Sequence, residues 1–252
     1  MATELRVFTV PGLPEIREGD DLGGAIGIAA ARAGLALDHN DVVVVAQKIV
    51  SKAEGALVEL RTVTPSPLAA SWAAAHRKDP ATIEVVLRES RRIVRMDRGI
   101  LITETHHGFV CANAGVDASN VPPGFVTVLP RDPDASAARL RAALCLRLGV
   151  RVATIVTDTF GRPWREGVVN VALGAAGLRA LEDCRGQSDG FGRRLQSTII
   201  NIADEIASAA AIVMGKTSGL PVAVIRGAAE WCDDTTGAGA ALVRPAAEDL
   251  FR

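Results

Sequence analysis

The chain alternates short β-branched apolar runs with stretches of helical spacing along its whole length. The runs DVVVVAQKIVSK (41–52), VRVATIVTD (150–158) and VAVIRG (222–227) have the continuous hydrophobic character of strands that are covered on both faces. Helical spacing occupies 21–36 and 134–148 between them. This alternation predicts an α/β, or mixed α+β, fold. A length of 252 residues is enough for one large domain or two modest lobes.

Weaker patterns fill the rest of the chain. LRVFTV (5–10) suits an opening strand, 65–96 has helical character, and 100–117 is typical of two strands around a His-His-Gly turn. Residues 197–215 are strand-like at first and helical from about 201. Because no repeat, linker or low-complexity tract divides the chain, we expect a single domain over 1–252.

Charge and composition exclude several classes of function. The formal net charge is −1, with acids and bases intermixed, which argues against a nucleic-acid partner. Aromatic residues make up 4% and Tyr is absent, so we expect no stacking platform for single strands. The sequence has no signal segment or membrane-spanning run, which predicts a cytoplasmic protein without a membrane partner. The four cysteines lie far apart and indicate neither a zinc site nor a disulfide framework.

Acidic and small polar residues follow the ends of predicted strands. The run 150–158 ends in Asp158, which is followed by Thr159, and the loop after the His-His-Gly hairpin contains Asp117. Open α/β sheets gather ligands at the carboxyl ends of their strands. Two carboxylates about 4 Å apart repel by roughly 4 kcal/mol at an effective dielectric near 20, and a hard cation such as Mg²⁺ or Mn²⁺ reverses that sign. Alternatively, Asp117 caps a turn and Asp158 caps a helix that begins near Thr159.

Basic residues accompany the same predicted loops. Lys48 and Lys52 follow the apolar start of the run 41–52, where an ammonium group can meet phosphate oxygens, although solvated lysines are more common there. Arg162 and Arg165 can bind a carboxylate or a phosphate through two parallel hydrogen bonds. They can equally pair with Glu166.

The segment MGKTSG (214–219) resembles a phosphate-binding loop only in part. That motif needs a strand before it and a helix after it, whereas here a helical apolar run precedes it and Pro221 follows. Gly215 is better explained as a left-handed helix cap, and the loop can still offer backbone amides to a nucleotide. The chain lacks GxSxG, HExxH and GxGxxG, and His106 and His107 are adjacent in a turn, so hydrolase, zinc-protease and dinucleotide-binding interpretations lack residues.

Taken together, six segments resemble the coenzyme F420-0:L-glutamate ligase family in its stand-alone form. They are VPGLPEIREGDDL, DVVVVAQKIVSKAEG, NAGVDASNV, TDTFGRPWREGVVNVALGAAG, ADEIASAAAIVMGKTSGLPVAVIRG and RPAAEDLF. The resemblance implies a GTP-dependent γ-glutamyl ligase. GTP would phosphorylate the side-chain carboxylate of coenzyme F420-0, and L-glutamate would displace phosphate from the acyl phosphate, with further γ-linked additions.

The resemblance also implies the roles of individual residues. A divalent metal, Mg²⁺ or Mn²⁺, is expected on Asp117, Asp158 and Thr159, with K⁺ as a further candidate cation. Asp117, Asp158 and Lys52 are the expected catalytic residues. The expected nucleotide contacts are Leu13, Pro14, Glu15, Ile16, Gln47, Lys48, Lys52, Asn120, Met214, Gly215, Lys216 and Thr217. Family members often carry an acidic residue near the late glycine, and here the loop GKTSG carries none.

The fold implied by the resemblance is a two-lobed mixed α/β structure that forms an intertwined homodimer, with the N- and C-terminal segments sharing one lobe. The substrates that the resemblance implies are coenzyme F420-0, L-glutamate and GTP. Two alternatives stay open at this point. One is another nucleotide-dependent acid–amine ligase, and the other is a non-catalytic nucleotide-binding relative. The loop 184–194 departs from the pattern expected of the family and has no assigned role.

Overall fold

A six-stranded mixed sheet runs through the protein in the computed structural model, which describes residues 4–249. The first three and last three residues, including the end of RPAAEDLF, lie outside that range. Within it the strands are β1 Arg6–Thr9, β2 Val42–Ala46, β3 Leu57–Glu59, β4 Ser90–Asp97, β5 Ile100–Thr105, β6 Val110–Ala112, β7 Phe125–Thr127, β8 Ala153–Arg162, β9 Arg165–Leu178, β10 Leu181–Asp183, β11 Ile199–Asn201, β12 Val222–Arg226 and β13 Cys232–Thr236. The α-helices are α1 Leu22–Arg32, α2 Gln47–Ala53, α3 Pro67–His76, α4 Pro80–Arg88, α5 Pro133–Leu148 and α6 Ile202–Met214. The predicted mixed α/β fold is confirmed.

The central sheet has the strand order β1-β12-β2-β8-β9-β13. Its one parallel pair is β2 with β8, and its other described neighbours are antiparallel. The surroundings of strand β2 explain why apolar and polar residues do not alternate in the valine run. Val43 and Val45 face the cluster formed with α1 and α5, whereas Val42 and Val44 face the cluster formed with α6. Helices on both faces therefore bury the strand completely.

Local signals fix the ends of the helices that cover this sheet. In α5, Pro133 occupies the first turn, the Asp132 side chain accepts a hydrogen bond from Ala135 N (2.9 Å), and Gly149 ends the helix with φ 68°. In α6, the Asn201 side chain accepts from Asp204 N (3.0 Å). These side chains satisfy backbone N–H groups that the helix itself leaves without partners.

Residues 57–128 carry two smaller sheets beside the central one. Strands β3 and β7 pair with each other, and β4, β5 and β6 form an antiparallel sheet. Helices α3 and α4 cover them through two further hydrophobic clusters. The predicted hairpin around His-His-Gly is confirmed as β5–β6. The division of the chain into two lobes and the homodimer stay predictions.

Three predicted element boundaries are wrong. The run 41–52 is a strand only as far as Ala46, whose N–H donates to Pro221 O (2.9 Å). Pro221 has no N–H with which to continue the ladder, and the chain turns into α2. Residues 90–97 are not helical because β4 pairs with β5. Strand β8 does not stop at Asp158 but continues to Arg162 because β9 pairs with it throughout.

No helix within residues 4–249 is both long enough and apolar enough to cross a bilayer.

Candidate active site

The candidate site lies where the parallel pairing of β2 with β8 ends. Ala46, the last residue of β2, pairs with Thr157, so the start of α2 lies level with Asp158, whereas β8 itself continues beside β9. Loops from distant parts of the chain meet at this end. The location is the one expected for ligand binding in sheets that contain parallel strands.

Asp117 occupies a short turn held against β7, with which it forms an isolated bridge at Thr127. Its carboxylate accepts hydrogen bonds from Lys48 Nζ (2.6 Å), Ser119 N (2.7 Å) and Ser119 Oγ (2.9 Å). Desolvation alone would favour the neutral acid, but these hydrogen bonds and the Lys48 charge together hold the pKa of Asp117 below its usual range. Asp117 is therefore a carboxylate at neutral pH.

Asp158 is half-buried in β8, and fewer hydrogen bonds stabilise its carboxylate than stabilise that of Asp117. Burial raises its pKa to about 6, and the charge of Asp117 acts in the same direction, whereas the Thr159 N–H and the charges of Lys216 and Lys48 oppose the shift. The two acids therefore lie within electrostatic range of each other. Burial and the Asp158 charge also raise the pKa of the neighbouring Cys111 thiol to about 12, so Cys111 is not a nucleophile at neutral pH.

Thr159 contacts the loop between α6 and β12, a third segment of the chain at this site. Its hydroxyl donates to Asn170 Oδ1 on β9 (3.0 Å) and accepts from Lys216 Nζ (2.9 Å). Lys216 belongs to the loop between α6 and β12. The late glycine loop thus reaches the residues that directly follow Asp158.

Lys52 lies one helical turn beyond Lys48 on α2 and is buried. Its Nζ contacts the Glu15 carboxylate, which is largely exposed. Gln47, which is also buried, accepts a hydrogen bond from Ser51 Oγ (2.8 Å). Helix α2 therefore connects the Glu15 segment with the Asp117 loop.

The remaining predicted contacts surround these residues. Ile16 and Met214 are buried, and Leu13 packs on the core, whereas Pro14 and Asn120 are exposed. The positive φ predicted for Gly215 is confirmed at 62°, but its ψ of −179° is not that of a left-handed helical cap. Lys216 and Thr217 follow as exposed residues of the same loop.

The two capping roles predicted as alternatives apply to Asp117 but not to Asp158. Asp158 does not cap a helix, because it lies inside β8 and pairs with Val171 of β9. Asp117 does stabilise its own turn through Ser119 N, in addition to its contact with Lys48. Arg162 and Arg165 are exposed and lie opposite each other in the β8–β9 strand pairing, next to the turn.

Two partners of the site were missed by sequence reasoning. Ser119 binds both Lys48 and Asp117, and Asn170 accepts from Thr159. Ser119 stands in the loop that was singled out and could have been chosen as a turn residue. Asn170 carried no local signal, because its position opposite Thr159 depends on the β8–β9 register.

The donor set suits a hard cation that is shared with a ligand. Asp117, Asp158 and Thr159 offer oxygen atoms, as Mg²⁺ and Mn²⁺ prefer. Within residues 4–249, however, no group of three or more His, Cys, Asp or Glu side chains is placed to hold a metal ion. The residues therefore fit a cation completed by water or substrate phosphates, and they do not fit a cage built from protein ligands alone.

Two acids and three lysines lie around the point where the β2–β8 pairing ends, and this combination of charges defines a class of site suited to a ligand with anionic groups. The family model described as F420-0:Gamma-glutamyl ligase matches residues 12–227. The chain belongs to this family.

Curated relatives match almost the whole chain. A coenzyme F420:L-glutamate ligase of Methanopyrus kandleri is 47% identical over 251 residues, which is 98% of each chain. The protein of the same name from Methanothermobacter thermautotrophicus is 44% identical over 98% of this chain and 99% of its own. That from Methanocaldococcus jannaschii is 42% identical over 91% and 92%, respectively.

Proposed function

We propose that the protein joins L-glutamate to coenzyme F420-0 with GTP as the energy source. One observation carries this proposal. The Lys48–Asp117 pair and Lys216 all lie close enough to Asp158 in β8 for their charges to act on it. These residues come from three of the segments that resemble the family. The relatives that bear the name coenzyme F420:L-glutamate ligase match the chain along nearly its full length.

The proposed reaction has two steps. The bond between the γ-phosphorus and the bridging oxygen of GTP breaks, and a bond forms to a carboxylate oxygen of the acceptor, which leaves GDP and an acyl phosphate. The glutamate amino nitrogen then attacks the acyl carbon, loses a proton and displaces inorganic phosphate as the amide forms. Further γ-linked additions would repeat this sequence on the new terminal carboxylate.

Phosphoryl transfer depends mainly on positioning and on electrostatic stabilisation of the transferred group. Lys52 and Lys48 are the proposed phosphate contacts, together with the Glu15 segment, Asn120 and the late glycine loop. Lys48 contacts Asp117 in the ligand-free protein, and we expect it to turn towards phosphate oxygens when the nucleotide binds. Both lysines can do this because they project from the same face of α2, one turn apart.

Asp117, Asp158 and Thr159 would hold a divalent ion, Mg²⁺ or Mn²⁺, which would neutralise charge between the nucleotide phosphates and the acceptor. K⁺ is a further candidate cation. Half-burial of Asp158 favours this role, because removal from water strengthens the attraction between the carboxylate and a cation. An intertwined homodimer remains part of the proposal, and the molecular mass in solution would test it.

The decisive experiment mixes purified protein, GTP, L-glutamate and coenzyme F420-0 and follows product masses. We expect increments of one or more glutamyl units, together with GDP and phosphate, and loss of all products in chelator. Replacing GTP by ATP, or coenzyme F420-0 by other carboxylic acids, separates this function from that of another acid–amine ligase. Binding of GTP without any product would instead support a non-catalytic relative.

A further inference from the structure

The candidate site contains two positively charged side chains that are already in contact with its predicted metal ligands. Lys48 Nζ lies 2.6 Å from Asp117 Oδ2, and Lys216 Nζ lies 2.9 Å from Thr159 Oγ1. Lys216 is also close enough to Asp158 for its charge to favour the carboxylate. Lys48 and Lys216 therefore reach the predicted metal ligands from two different segments, helix α2 and the loop before β12.

We propose that the Lys216 ammonium is the second cation of the phosphoryl-transfer site, so that this chain binds one divalent ion with each nucleotide. Two-metal sites place a second divalent ion next to the transferred phosphoryl group. Here an ammonium group occupies that place. The inference rests on the proposed function through its metal–nucleotide site.

The loop that carries Lys216 has a defined conformation. Gly215 adopts φ 62°, its N–H donates to Ala211 O (3.1 Å), and Ser218 Oγ contacts Met214 O. Strand β12 begins soon afterwards, at Val222. From this loop Lys216 Nζ reaches the Thr159 hydroxyl in β8.

The hydrogen bonds of Thr159 show how the ammonium is held. Its hydroxyl proton is directed to Asn170 Oδ1 (3.0 Å), which leaves the oxygen free to accept from Lys216 (2.9 Å). A second divalent ion on that oxygen would lie beside the ammonium group. At equal distance, a charge of +2 repels an ammonium twice as strongly as a charge of +1 does.

The supply of protein ligands leads to the same conclusion. Asp117 and Asp158 are the two carboxylates expected to hold a cation, and within residues 4–249 no third acid, His or Cys joins them to form a metal-binding group. Two carboxylates and the Thr159 hydroxyl suffice for one divalent ion that is completed by water and phosphate oxygens. A second divalent ion would have to share the same two carboxylates.

Lys216 would act in the proposed step as a fixed charge. It would donate hydrogen bonds to the γ-phosphoryl oxygens while the bond to the bridging oxygen breaks and the bond to the acceptor carboxylate forms. No proton leaves the ammonium, so the balance of the reaction is unchanged. A point charge of this kind is a common partner of phosphate groups.

The test counts bound Mn²⁺ by equilibrium dialysis with guanosine 5′-(β,γ-imido)triphosphate, which holds a non-transferable γ-phosphate. We expect one Mn²⁺ per wild-type chain and two in Lys216→Glu, which removes the ammonium and supplies a third carboxylate. Lys78→Glu makes the same charge change at an exposed lysine between α3 and α4 and should stay at one. Two ions in the wild-type protein, or one in Lys216→Glu, would overturn the inference.

Lys216→Met provides a second, independent measurement. It removes the charge without adding an oxygen ligand, so we expect one Mn²⁺ and about tenfold weaker binding of the nucleotide analogue. Unchanged affinity would also overturn the inference. Glutamate addition assayed in parallel separates the two proposals: a wild-type chain that binds one Mn²⁺ with the analogue but forms no product contradicts only the proposed function.

Discussion

Asp41 and Asp158 are acids that flank opposite ends of the parallel pairing between β2 and β8, and they differ in the groups that compensate their charge. Asp41 is 1% exposed. Its carboxylate accepts from Arg226 Nε (2.9 Å), Arg226 Nη2 (2.7 Å) and Asp38 N (2.8 Å). The hydrogen bond to Asp41 in turn raises the pKa of the Arg226 guanidinium. The Arg226 guanidinium is thereby stabilised in its charged form.

Asp158 is half-buried, and no guanidinium within residues 4–249 forms an ion pair with it. The positive charges that act on it, Lys216 and Lys48, are held by Thr159 and by Asp117, respectively, and burial raises its pKa to about 6. The comparison separates a carboxylate that is held by two guanidinium hydrogen bonds from one whose burial is only partly offset by its neighbours. Buried groups with strongly shifted pKa values and incomplete partners are typical of functional sites.

The largest expected effect comes from removing the charge of Asp158. Asp158→Asn should lower the rate of glutamate addition by at least about 10²-fold, the scale of losing one electrostatic group from an active site. The metal-free protein should melt at the same temperature or higher, because the amide carries no buried charge. Product masses and thermal unfolding in chelator measure the two effects. Normal turnover or a marked loss of stability in Asp158→Asn would contradict the view that Asp158, unlike Asp41, serves activity rather than stability.

Asp41→Asn should show the reverse pattern. We expect the free energy of unfolding to fall by about 2 kcal/mol, less than for a fully buried pair because Arg226 remains partly solvated. The folded fraction should bind the nucleotide analogue normally. Denaturant unfolding measures the change.

The control for Asp41→Asn is Asp38→Asn, since Asp38 is largely exposed and contacts Arg226 Nη1 at 2.9 Å. That variant should change stability by less than about 1 kcal/mol. Equal losses at the two positions would contradict the importance of burial.

Lys52→Ala should weaken binding of the GTP analogue by about tenfold, because a charge-assisted contact to phosphate is lost. Lys78→Ala is the matched control, as an exposed lysine outside the site. Calorimetric titration gives both affinities. An unchanged affinity in Lys52→Ala would leave Glu15 as the sole partner of this ammonium.

A last expected effect, confined to the metal-free protein, is a pH dependence of stability. The folded pKa of Asp158, about 6, exceeds that of an unfolded chain, about 4. The folded protein therefore binds the extra proton between these values. The contribution of Asp158 to stability is present below about pH 4 and is lost as the pH rises to about 6.

The difference in unfolding free energy between wild type and Asp158→Asn in chelator should therefore decrease across that pH window. A constant or increasing difference would contradict the assignment. Saturating Mn²⁺ with the nucleotide analogue should oppose the decrease, because a bound cation stabilises the carboxylate.

Those parts of the fold with strong local patterns were predictable from the sequence. Strands β2 and β12 and helix α5 have apolar periodicity or caps that agree with their final environment. Strand β9 was not assigned because its glycines and alanines match neither period, and its extended form depends on pairing with β8. Helix α2 was taken for a strand because Ile49 and Val50 look β-forming in isolation, although both pack into the core from a helix.

The site was predictable in its residue types but not in its contacts. Acids and lysines after strands indicated where a ligand could bind, and the family resemblance selected among them. The contact of Lys48 with Asp117 spans 69 positions of the chain, and that of Lys216 with Thr159 spans 57. Such pairings follow from the order of strands in the sheet, which periodicity does not determine.

The position of β12 between β1 and β2 has a consequence for newly made chains. Synthesis releases the N-terminal segment first, but the loop that brings Lys216 to β8 leaves the ribosome just before β12, more than two hundred residues later. Until β12 inserts, β1 and β2 lack their shared neighbour. A chain that ends before β12 therefore cannot assemble the full candidate site, because the contact between Lys216 and Thr159 depends on the last third of the sequence.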